Sequence, residues 1–437
     1  MATMHRILLS FFLLACALGA QAAVPIQHWQ TSSGAQVFFV ETHVQPMLDV
    51  EVEFAAGSAY DPPGKAGLAG MTQSLLSAGA GGLDEEKIAS LMADSGAQLG
   101  SVSDQDRAGL HLRTLSRAEE RDKALDLLRA LLQTPDFPQT VLEREKARSI
   151  AGIKEADTKA ESLGQKRFMA AAFPGHPYGA KATVETVTAL GRNDLLAFHR
   201  RHYGAKRAVV SLVGDLTRAQ AEALAERLTD DLPTAAPDSP SGQSLPNEKL
   251  PDAQVLRVAH PAAQSHIFVG TPGVKRGDPD YFPLLVGNYV LGGGGFVSRL
   301  TKEVREKRGY AYSVYSYFLP LRQPGPFMIG LTTKRSQAGD ALKVVKDTLS
   351  AFLKDGPTEA ELADAKRNLA GGFPLRVDSN RKILDYLAVI GFYGLPLDYL
   401  ETFQAKVEAV TSAQVKSAFS RHVQPAHLVT VVVASDN

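Results

Sequence analysis

Apolar residues are spaced along the chain in two ways, and the two spacings predict a mixture of strands and helices. Runs or alternation of apolar residues predict strands over 37–40, 48–54 and 208–213, and later over 255–258, 266–270 and 327–332. Helical spacing predicts a helix beginning near Leu68 and others over 84–95, 192–202, 279–291, 339–353, 359–369 and 384–392. Strands and helices occur in both halves of the chain, so the pattern indicates an α+β protein.

One stretch of the pattern occurs twice. The segment from 184 to 215 resembles the segment from 407 to 436, because both read helix, strand and then a closing aspartate. The shared positions are Val184, Glu185, Val187, Thr188, Phe198, Arg200 and Asp215 in the first copy, and Val407, Glu408, Val410, Thr411, Phe419, Arg421 and Asp436 in the second. Two copies so far apart indicate a duplicated domain.

Length and composition agree with two soluble domains. The chain has 437 residues, of which 44% are hydrophobic and 22% charged. Lys plus Arg and Asp plus Glu balance at 47 each, which argues against nucleic acid or an anionic membrane as the main partner. A stretch rich in proline and serine, 232–251, reads as a linker between domains at 23–231 and 252–437.

The first 22 residues have the features of a secretory signal peptide. His5 and Arg6 precede an apolar run that is too short for a permanent membrane anchor, and an Ala-x-Ala site ends at Ala22. Cys16 is the one cysteine, so the mature chain has no disulfide. Lipoprotein processing at Cys16 is the less favoured alternative to cleavage after Ala22.

Candidate chemistry is concentrated in residues 291–318, LGGGGFVSRLTKEVREKRGYAYSVYSYF. Ser298 is placed to cap a short helix, Gly309 to stop it, and an alternating strand follows. Strict alternation puts Tyr312 on the same face as Val314. Arg305 and Tyr312 are then able to reach one point, where a cation and a phenol suit a peptide carbonyl or an oxyanion. The alternative is that Arg305 complements the helix dipole and that Tyr312 packs.

This segment resembles the C-terminal half of the pitrilysin/insulinase zinc peptidases, especially the two-chain processing-peptidase branch. The resemblance rests on GGGGFVSRL with EVREKRGYAYSVYS, on GSAYDPPGKAGLA and on HPYG. It implies two homologous domains related by pseudo-twofold symmetry, each an antiparallel-rich sheet with helices on one face. It also implies that Arg305 and Tyr312 bind substrate backbone and the reacting carbonyl. By the same resemblance, a loop of Gly292, Gly293, Gly294, Gly295 and Phe296 borders the substrate cavity.

The zinc site of the resembled family is degenerate here. Aligning GSAYDPPGKAGLA places Gly70, Gln73 and Ser74 where active members have His-x-x-Glu-His. Aligning LEREKARSIAGIKEAD places Gly152 at the third ligand position, with Glu155 three residues further along. Two ligands and the general base are thus replaced by residues that do not bind zinc or accept a proton, and the third ligand is replaced by glycine. We expect no metal in this chain and zinc in a partner.

No second metal or nucleophile site is evident in the sequence. The histidines are scattered, and only His199 and His202 are spaced for one helix face, so surface or capping roles are expected for them. No cysteine remains after maturation, and no Ser-His-Asp arrangement with a nucleophile elbow is found. These observations argue against a self-sufficient peptidase.

The resemblance therefore predicts a non-catalytic, substrate-binding subunit of a heteromeric zinc metallopeptidase. Its partners would be a homologous subunit bearing His-x-x-Glu-His and a peptide substrate, with no nucleic acid and no membrane span. The signal peptide and the likeness to bacterial members predict the periplasm. The alternative is a homodimeric peptide-binding or scaffold protein without a proteolytic role.

Overall fold

A computed structural model describes residues 24–233, 245–247 and 249–434. Two large sheets and one small hairpin contain the strands. They are β1 Gln27–Gln30, β2 Gln36–Glu41, β3 Met47–Phe54, β4 Gly79–Ala80, β5 Leu83–Asp84, β6 Gln98–Ser103, β7 Ala108–Leu115, β8 Ala208–Gly214, β9 Gln254–Val258, β10 Gln264–Val274, β11 Ala311–Phe318, β12 Gly325–Lys334 and β13 Val429–Val433.

Helices follow the strands in both halves of the chain. They are α1 Leu68–Leu75, α2 Glu85–Ser95, α3 Ala118–Gln133, α4 Gln139–Asp157, α5 Ala160–Ala172, α6 Val184–Thr188, α7 Arg192–His202, α8 Arg218–Thr229, α9 Tyr281–Asn288, α10 Ala338–Asp355, α11 Glu359–Gly371, α12 Asn380–Tyr393, α13 Tyr399–Ala409 and α14 Ser412–His422. Among the described residues, none of these helices is both long and apolar enough to span a lipid bilayer.

The two sheets have the same topology. The first has the order β1-β2-β8-β3-β7-β6 and the second β11-β12-β10-β13-β9. Read from the other edge, the second matches β2-β8-β3-β7-β6 strand for strand. Each sheet has one parallel pair (β2 with β8, and β9 with β13), and every other pair is antiparallel. The repeated sequence segments form α7 with β8 and α14 with β13. The predicted α+β fold of two homologous halves is confirmed.

One helix from each half packs on the sheet of the other half. Helix α5 packs on β10 and β13, and α12 packs on β8, β3 and β2. Both contacts are close because a glycine lies at each: a Cβ at Gly164 would meet the Phe268 ring at 2.4 Å, and one at Gly391 would meet Phe38 and Val209 at 2.7 Å. The sequence predicted helices on one face of each sheet. The exchanged helices cover the other face.

The helix α12 buries a row of acidic residues on the central strand of the first sheet. Asp49, Glu51 and Glu53 alternate with valines on β3, and all are at most 3% exposed. Arg113 binds Asp49 at 2.8 Å and Arg107 binds Glu53 at 2.9 Å, whereas Glu51 is 3.9 Å from Arg381 of α12. The predicted alternation is present, but its polar face lies between the two halves and not in solvent.

The predicted signal peptide, 1–22, lies outside the described residues, and so do 234–244 and 248 within the predicted linker.

Candidate functional site

The glycine run, Gly292–Gly295, connects α9 to the short helix that carries Arg305. It packs on β11, an edge strand of the second sheet. Helix α9 continues into a π-helical turn, Tyr289–Gly293, and a 3-10 turn, Gly295–Val297, follows. Gly292 is buried, and a Cβ there would lie 2.5 Å from Ser316 Oγ on β11. Gly293, Gly295 and Phe296 are exposed. The run therefore packs through its first glycine and presents its later residues at the surface.

A short helix carries Arg305. Ser298 Oγ accepts a hydrogen bond from the backbone N–H of Thr301 at 3.4 Å, so Ser298 caps the helix as predicted. The helix becomes π-helical over Thr301–Glu306, a geometry often found at functional sites. Gly309, at a φ of 63°, ends it, and its N–H bonds to the Arg305 carbonyl at 2.9 Å.

The Arg305 side chain is exposed and stacks on an aromatic ring. Its guanidinium carbon lies 4.9 Å from the centroid of Phe296, which is 68% exposed. The nearby carboxylate of Glu303 is already bound to Lys307 at 2.6 Å and to Arg308 at 2.8 Å. In the part of the chain that the structure describes, Arg305 has no carboxylate within ion-pair distance. A cation held by stacking alone remains able to bind an acceptor from another molecule.

Tyr312 lies on a β-bulge, which corrects the predicted alternation. Ala311 pairs with Thr333 and Ser313 with Thr332, so Tyr312 is the extra residue opposite β12. Ala311 and Val314 are both buried in the core of the second half, whereas Tyr312 is 77% exposed. The prediction that Tyr312 and Val314 share a face is wrong, because the inserted residue shifts the alternation by one position. The bulge turns the phenol out of the packed sheet.

These elements bring two of the predicted residues into contact and place the third nearby. Phe296 contacts Arg305, and the helix that carries Arg305 packs against β11, the strand that begins beside Tyr312. Val297, 54% exposed, adjoins Phe296 on the same surface loop. Exposed aromatic side chains beside an unpaired arginine are unusual on a monomer surface and typical of a contact surface. The sequence did not single out the stacking of Phe296 on Arg305.

The positions predicted to correspond to a degenerate zinc site lie on α1 and α4. Gly70 and Ser74 are exposed one turn apart on α1, and Ser74 Oγ donates to the Met71 carbonyl at 3.0 Å. Gln73 is 7% exposed. Gly152 lies on the exposed side of α4, and a Cβ at Gly70 or Gly152 would meet no atom within 4 Å. The positions have room for ligands, but none of their present side chains is a zinc ligand of the usual kind.

A half-buried aspartate holds the start of α1 in place. Asp61 accepts hydrogen bonds from the backbone N–H groups of Gly67 at 2.7 Å and Ala69 at 2.6 Å. Burial raises the pKa of Asp61 to about 6 although both bonds favour the charged form. The loop that precedes the family's metal-binding helix is thus kept in place although the ligands are not. Glu155, the neighbouring carboxylate on α4, is paired with Lys159 at 2.6 Å.

The expected surface or capping role is wrong for His199 and His202. Both are buried, and their rings bond to the carbonyls of Leu132 at 2.8 Å and Ala55 at 3.1 Å. Burial lowers the pKa of each to about 4, so both are neutral core residues. The burial of these two histidines was not predictable from the sequence, because the residues that cover them lie far away in the chain.

One carboxylate–histidine group comes together that the sequence did not indicate. Asp278, Asp280 and His422 have potential ligand atoms within 4.8 Å of one another, and no other such group of three occurs in the described ranges. Asp280 is bound by Arg421 at 2.6 Å and by His422 at 2.9 Å. The hydrogen-bonded guanidinium of Arg421 lowers the pKa of Asp280 and already supplies a positive charge to this carboxylate. The group is best described as an ion-pair network between α9 and α14.

Comparison with known proteins gives matches to both halves. The family model "Insulinase (Peptidase family M16)" matches residues 36–184, and "Peptidase M16 inactive domain" matches residues 189–369. A crystal structure of a peptidase M16 inactive domain from Pseudomonas fluorescens is 37% identical, covers 94% of this chain and 98% of its own, and superposes with a TM-score of 0.89.

Two curated relatives have contrasting descriptions. A Helicobacter pylori protein described as a non-peptidase homolog is 26% identical over 97% of each chain. The mitochondrial-processing peptidase subunit beta of Lentinula edodes is 24% identical over 79% of this chain and 77% of its own. Together these similarities support a non-catalytic chain of this type. The sequence and fold therefore place the chain in the M16 insulinase peptidase family, as a member without a His-x-x-Glu-His motif.

Proposed function

We propose that the chain is the substrate-binding subunit of a two-chain periplasmic zinc peptidase. A homologous partner holds the zinc on His-x-x-Glu-His, and this chain supplies Arg305 and Tyr312 to the shared site. The guanidinium and the phenol then bind the substrate backbone and the oxyanion that forms as the peptide bond is attacked.

The observation that carries the proposal is the state of Arg305 and Tyr312 in a chain whose zinc positions are degenerate. Arg305 is exposed and stacked on Phe296, it forms no ion pair with any residue that the structure describes, and a bulge exposes Tyr312. A chain that serves only as a scaffold has no need of an arginine held by stacking and a tyrosine turned outward on the strand that the arginine's helix packs against. A site that is completed by another subunit requires both groups to be accessible.

Support for a partner comes from relatives of this chain. Similarity to a processing-peptidase subunit beta favours assembly with a second chain of the same family. Export of this chain by its leader, residues 1–22, would bring it to the periplasm, where the partner should also be found.

Reconstitution tests the proposal. The mature chain, 23–437, is purified alone and mixed with a His-x-x-Glu-His homologue from the same cell, and zinc content and peptide cleavage are measured. We expect the chain to be zinc-free and inert, and the mixture to cleave peptide. Arg305→Ala and Tyr312→Phe should each lower kcat by about 10²-fold, equal to about 3 kcal/mol of transition-state stabilisation, without loss of assembly.

Lys307→Ala is the matched control for Arg305→Ala. Lys307 lies on the same exposed helix end and is paired with Glu303, so its loss should leave turnover unchanged. Unchanged turnover in both Arg305→Ala and Tyr312→Phe would contradict a shared site. Stoichiometric zinc and cleavage by this chain alone would contradict the assignment of a non-catalytic subunit.

A further inference from the structure

A cavity of about 390 Å³ lies in the C-terminal half, among the segment that leads into α9, the loop before α13, and helices α13 and α14. Its apolar wall consists of Phe282, Leu395, Pro396 and Tyr399. Its volume is within the range of small-molecule sites, about 300–1,000 Å³. None of its lining residues belongs to the glycine run, the Arg305 helix or β11.

Arg276 lines this cavity and lacks an acceptor. Its guanidinium carbon is 6.0 Å from the centroid of the Tyr281 ring and 5.6 Å from that of Tyr393. The Nε atom is buried and has no hydrogen-bond partner, and no carboxylate of the described residues forms an ion pair with this side chain. A buried donor without an acceptor is costly, so the group is poised for an acceptor that another molecule brings.

A second cation lies on the same cavity. Lys406 Nζ is 5.8 Å from the centroid of the Phe282 ring, and no carboxylate in the described ranges pairs with it. The one acid in the lining, Asp278, accepts the backbone N–H of Asp280 at 2.9 Å and is 3.9 Å from His422 Nε2. The lining thus has one carboxylate with partners of its own and two cations that form no ion pair with the described part of the chain, so the net positive charge favours an anion.

We propose that this cavity binds an aromatic carboxylate. The ring packs against Phe282 and Tyr399, and the carboxylate accepts hydrogen bonds from Arg276, with Lys406 adding a second positive charge. A free aromatic acid and the C-terminal residue of a peptide share this chemistry. The site does not depend on zinc, on a partner subunit or on Arg305.

Binding of two matched probes to the full mature chain tests the site. N-acetyl-L-phenylalanine carries the carboxylate, and N-acetyl-L-phenylalaninamide is its neutral counterpart. Titration calorimetry or ligand-observed NMR should show that the acid binds at least tenfold more tightly than the amide. Equal binding of the two probes, or no binding of either, would overturn the proposal.

Variants locate the binding. Arg276→Gln should reduce binding of the acid to the level of the amide, and Lys406→Gln should weaken it by a smaller factor. Ala409→Trp, on the cavity wall, should abolish binding of both probes. Arg367→Gln is the control, because Arg367 is exposed and pairs only within its own helix, with Asp364. Thermal unfolding establishes that each variant is folded. Full binding by folded Arg276→Gln and Ala409→Trp would exclude this cavity.

A second pair of ligands distinguishes the two sources. If a tripeptide ending in free phenylalanine binds at least tenfold more tightly than 3-phenylpropionate, the ligand is a peptide C terminus. Similar affinities would identify a free aromatic acid. Either result supports the shared chemistry, and both are independent of whether a partner restores peptidase activity.

Discussion

The guanidinium of Arg305 lies over the ring of Phe296, 4.9 Å from its centroid, and both side chains are exposed. A long, flexible cation at a surface would ordinarily sample many rotamers. Stacking limits this freedom without using the hydrogen-bond donors of the guanidinium. Phe296 therefore positions Arg305, while the donors remain available for a carbonyl.

Truncation of Phe296 should weaken the function of Arg305. Phe296→Ala is expected to lower kcat/KM of the reconstituted peptidase about two- to fivefold, the equivalent of an exposed cation–π contact of about 0.5–1 kcal/mol. Phe296→Tyr should retain activity because the ring remains. Val297→Ala removes a neighbouring exposed apolar side chain and serves as the control. Equal losses in Phe296→Ala and Val297→Ala would indicate general loop damage, not positioning.

Two glycines that the sequence singled out should respond oppositely to alanine. A Cβ at Gly292 would lie 2.5 Å from Ser316 Oγ and 2.6 Å from Ser316 N, so Gly292→Ala should cost about 1–3 kcal/mol of unfolding free energy. A Cβ at Gly152 would meet no atom within 4 Å, so Gly152→Ala should stabilise the exposed helix by about 0.5–1 kcal/mol. Urea unfolding measures both. A destabilised Gly152→Ala would show that this position is not open.

Restoring the family's ligands should restore metal binding. The variant Gly70→His/Gln73→Glu/Ser74→His/Gly152→Glu is expected to bind about one zinc per chain, because the glycine positions have room for side chains. The same variant without Gly152→Glu should bind zinc more weakly, since one ligand is missing. Metal analysis after dialysis decides the outcome. A folded four-residue variant that takes up no zinc would contradict the alignment of these positions with the lost site.

The buried acid Glu51 should make stability depend on pH. Burial, reinforced by the neighbouring Glu53, raises the pKa of Glu51 from 4.5 to about 10. The folded protein therefore keeps a proton that the unfolded chain releases above pH 4.5. The stability from this group is complete below that pH and falls as pH rises toward 10, by up to about 1.4 kcal/mol per pH unit.

Glu51→Gln replaces the titratable carboxyl group with a neutral amide of nearly the same shape, so the variant neither binds nor releases this proton. We expect the variant to match the wild type near pH 5 and to be the more stable of the two at pH 8–9, as measured by urea unfolding at several pH values. Glu53→Gln is not equivalent, because it breaks the ion pair with Arg107 and should destabilise the protein. The same pH slope in Glu51→Gln and wild type would mean that Glu51 is ionised in the folded state.

Local features of the site were predictable, whereas long-range ones were not. The Ser298 cap and the Gly309 stop follow from short-range backbone chemistry, and the structure has both. The bulge at Tyr312 was not predictable, because it depends on how β11 pairs with β12. The periodicity of apolar residues describes one strand at a time. It therefore cannot show where a strand has an extra residue relative to the strand that it pairs with.

The apolar pattern also could not predict that residues of one half are buried by the other half. The alternation of valine and acid over 48–54 is typical of a strand with one solvent-exposed face. In the structure α12, more than 300 residues further along the chain, covers that face. The group of Asp278, Asp280 and His422 has the same origin, since the duplicated helix α14 brings its histidine back to the start of α9. The duplication was visible in the sequence, but the partners that it brings together were not.

Helices α5 and α12 each pack on the sheet of the other half, and this arrangement is the one expected if the chain arose by duplication and fusion. A half-length ancestor with this sheet would have had one uncovered sheet face and one helix without a sheet to pack on. In two copies of that ancestor, the helix of each copy would cover the sheet of the other, as in a domain-swapped homodimer. Gene fusion would then turn an association that depends on concentration into a permanent one. After fusion each copy was free to change separately, so the residues of the two halves could diverge while the shared sheet topology was kept.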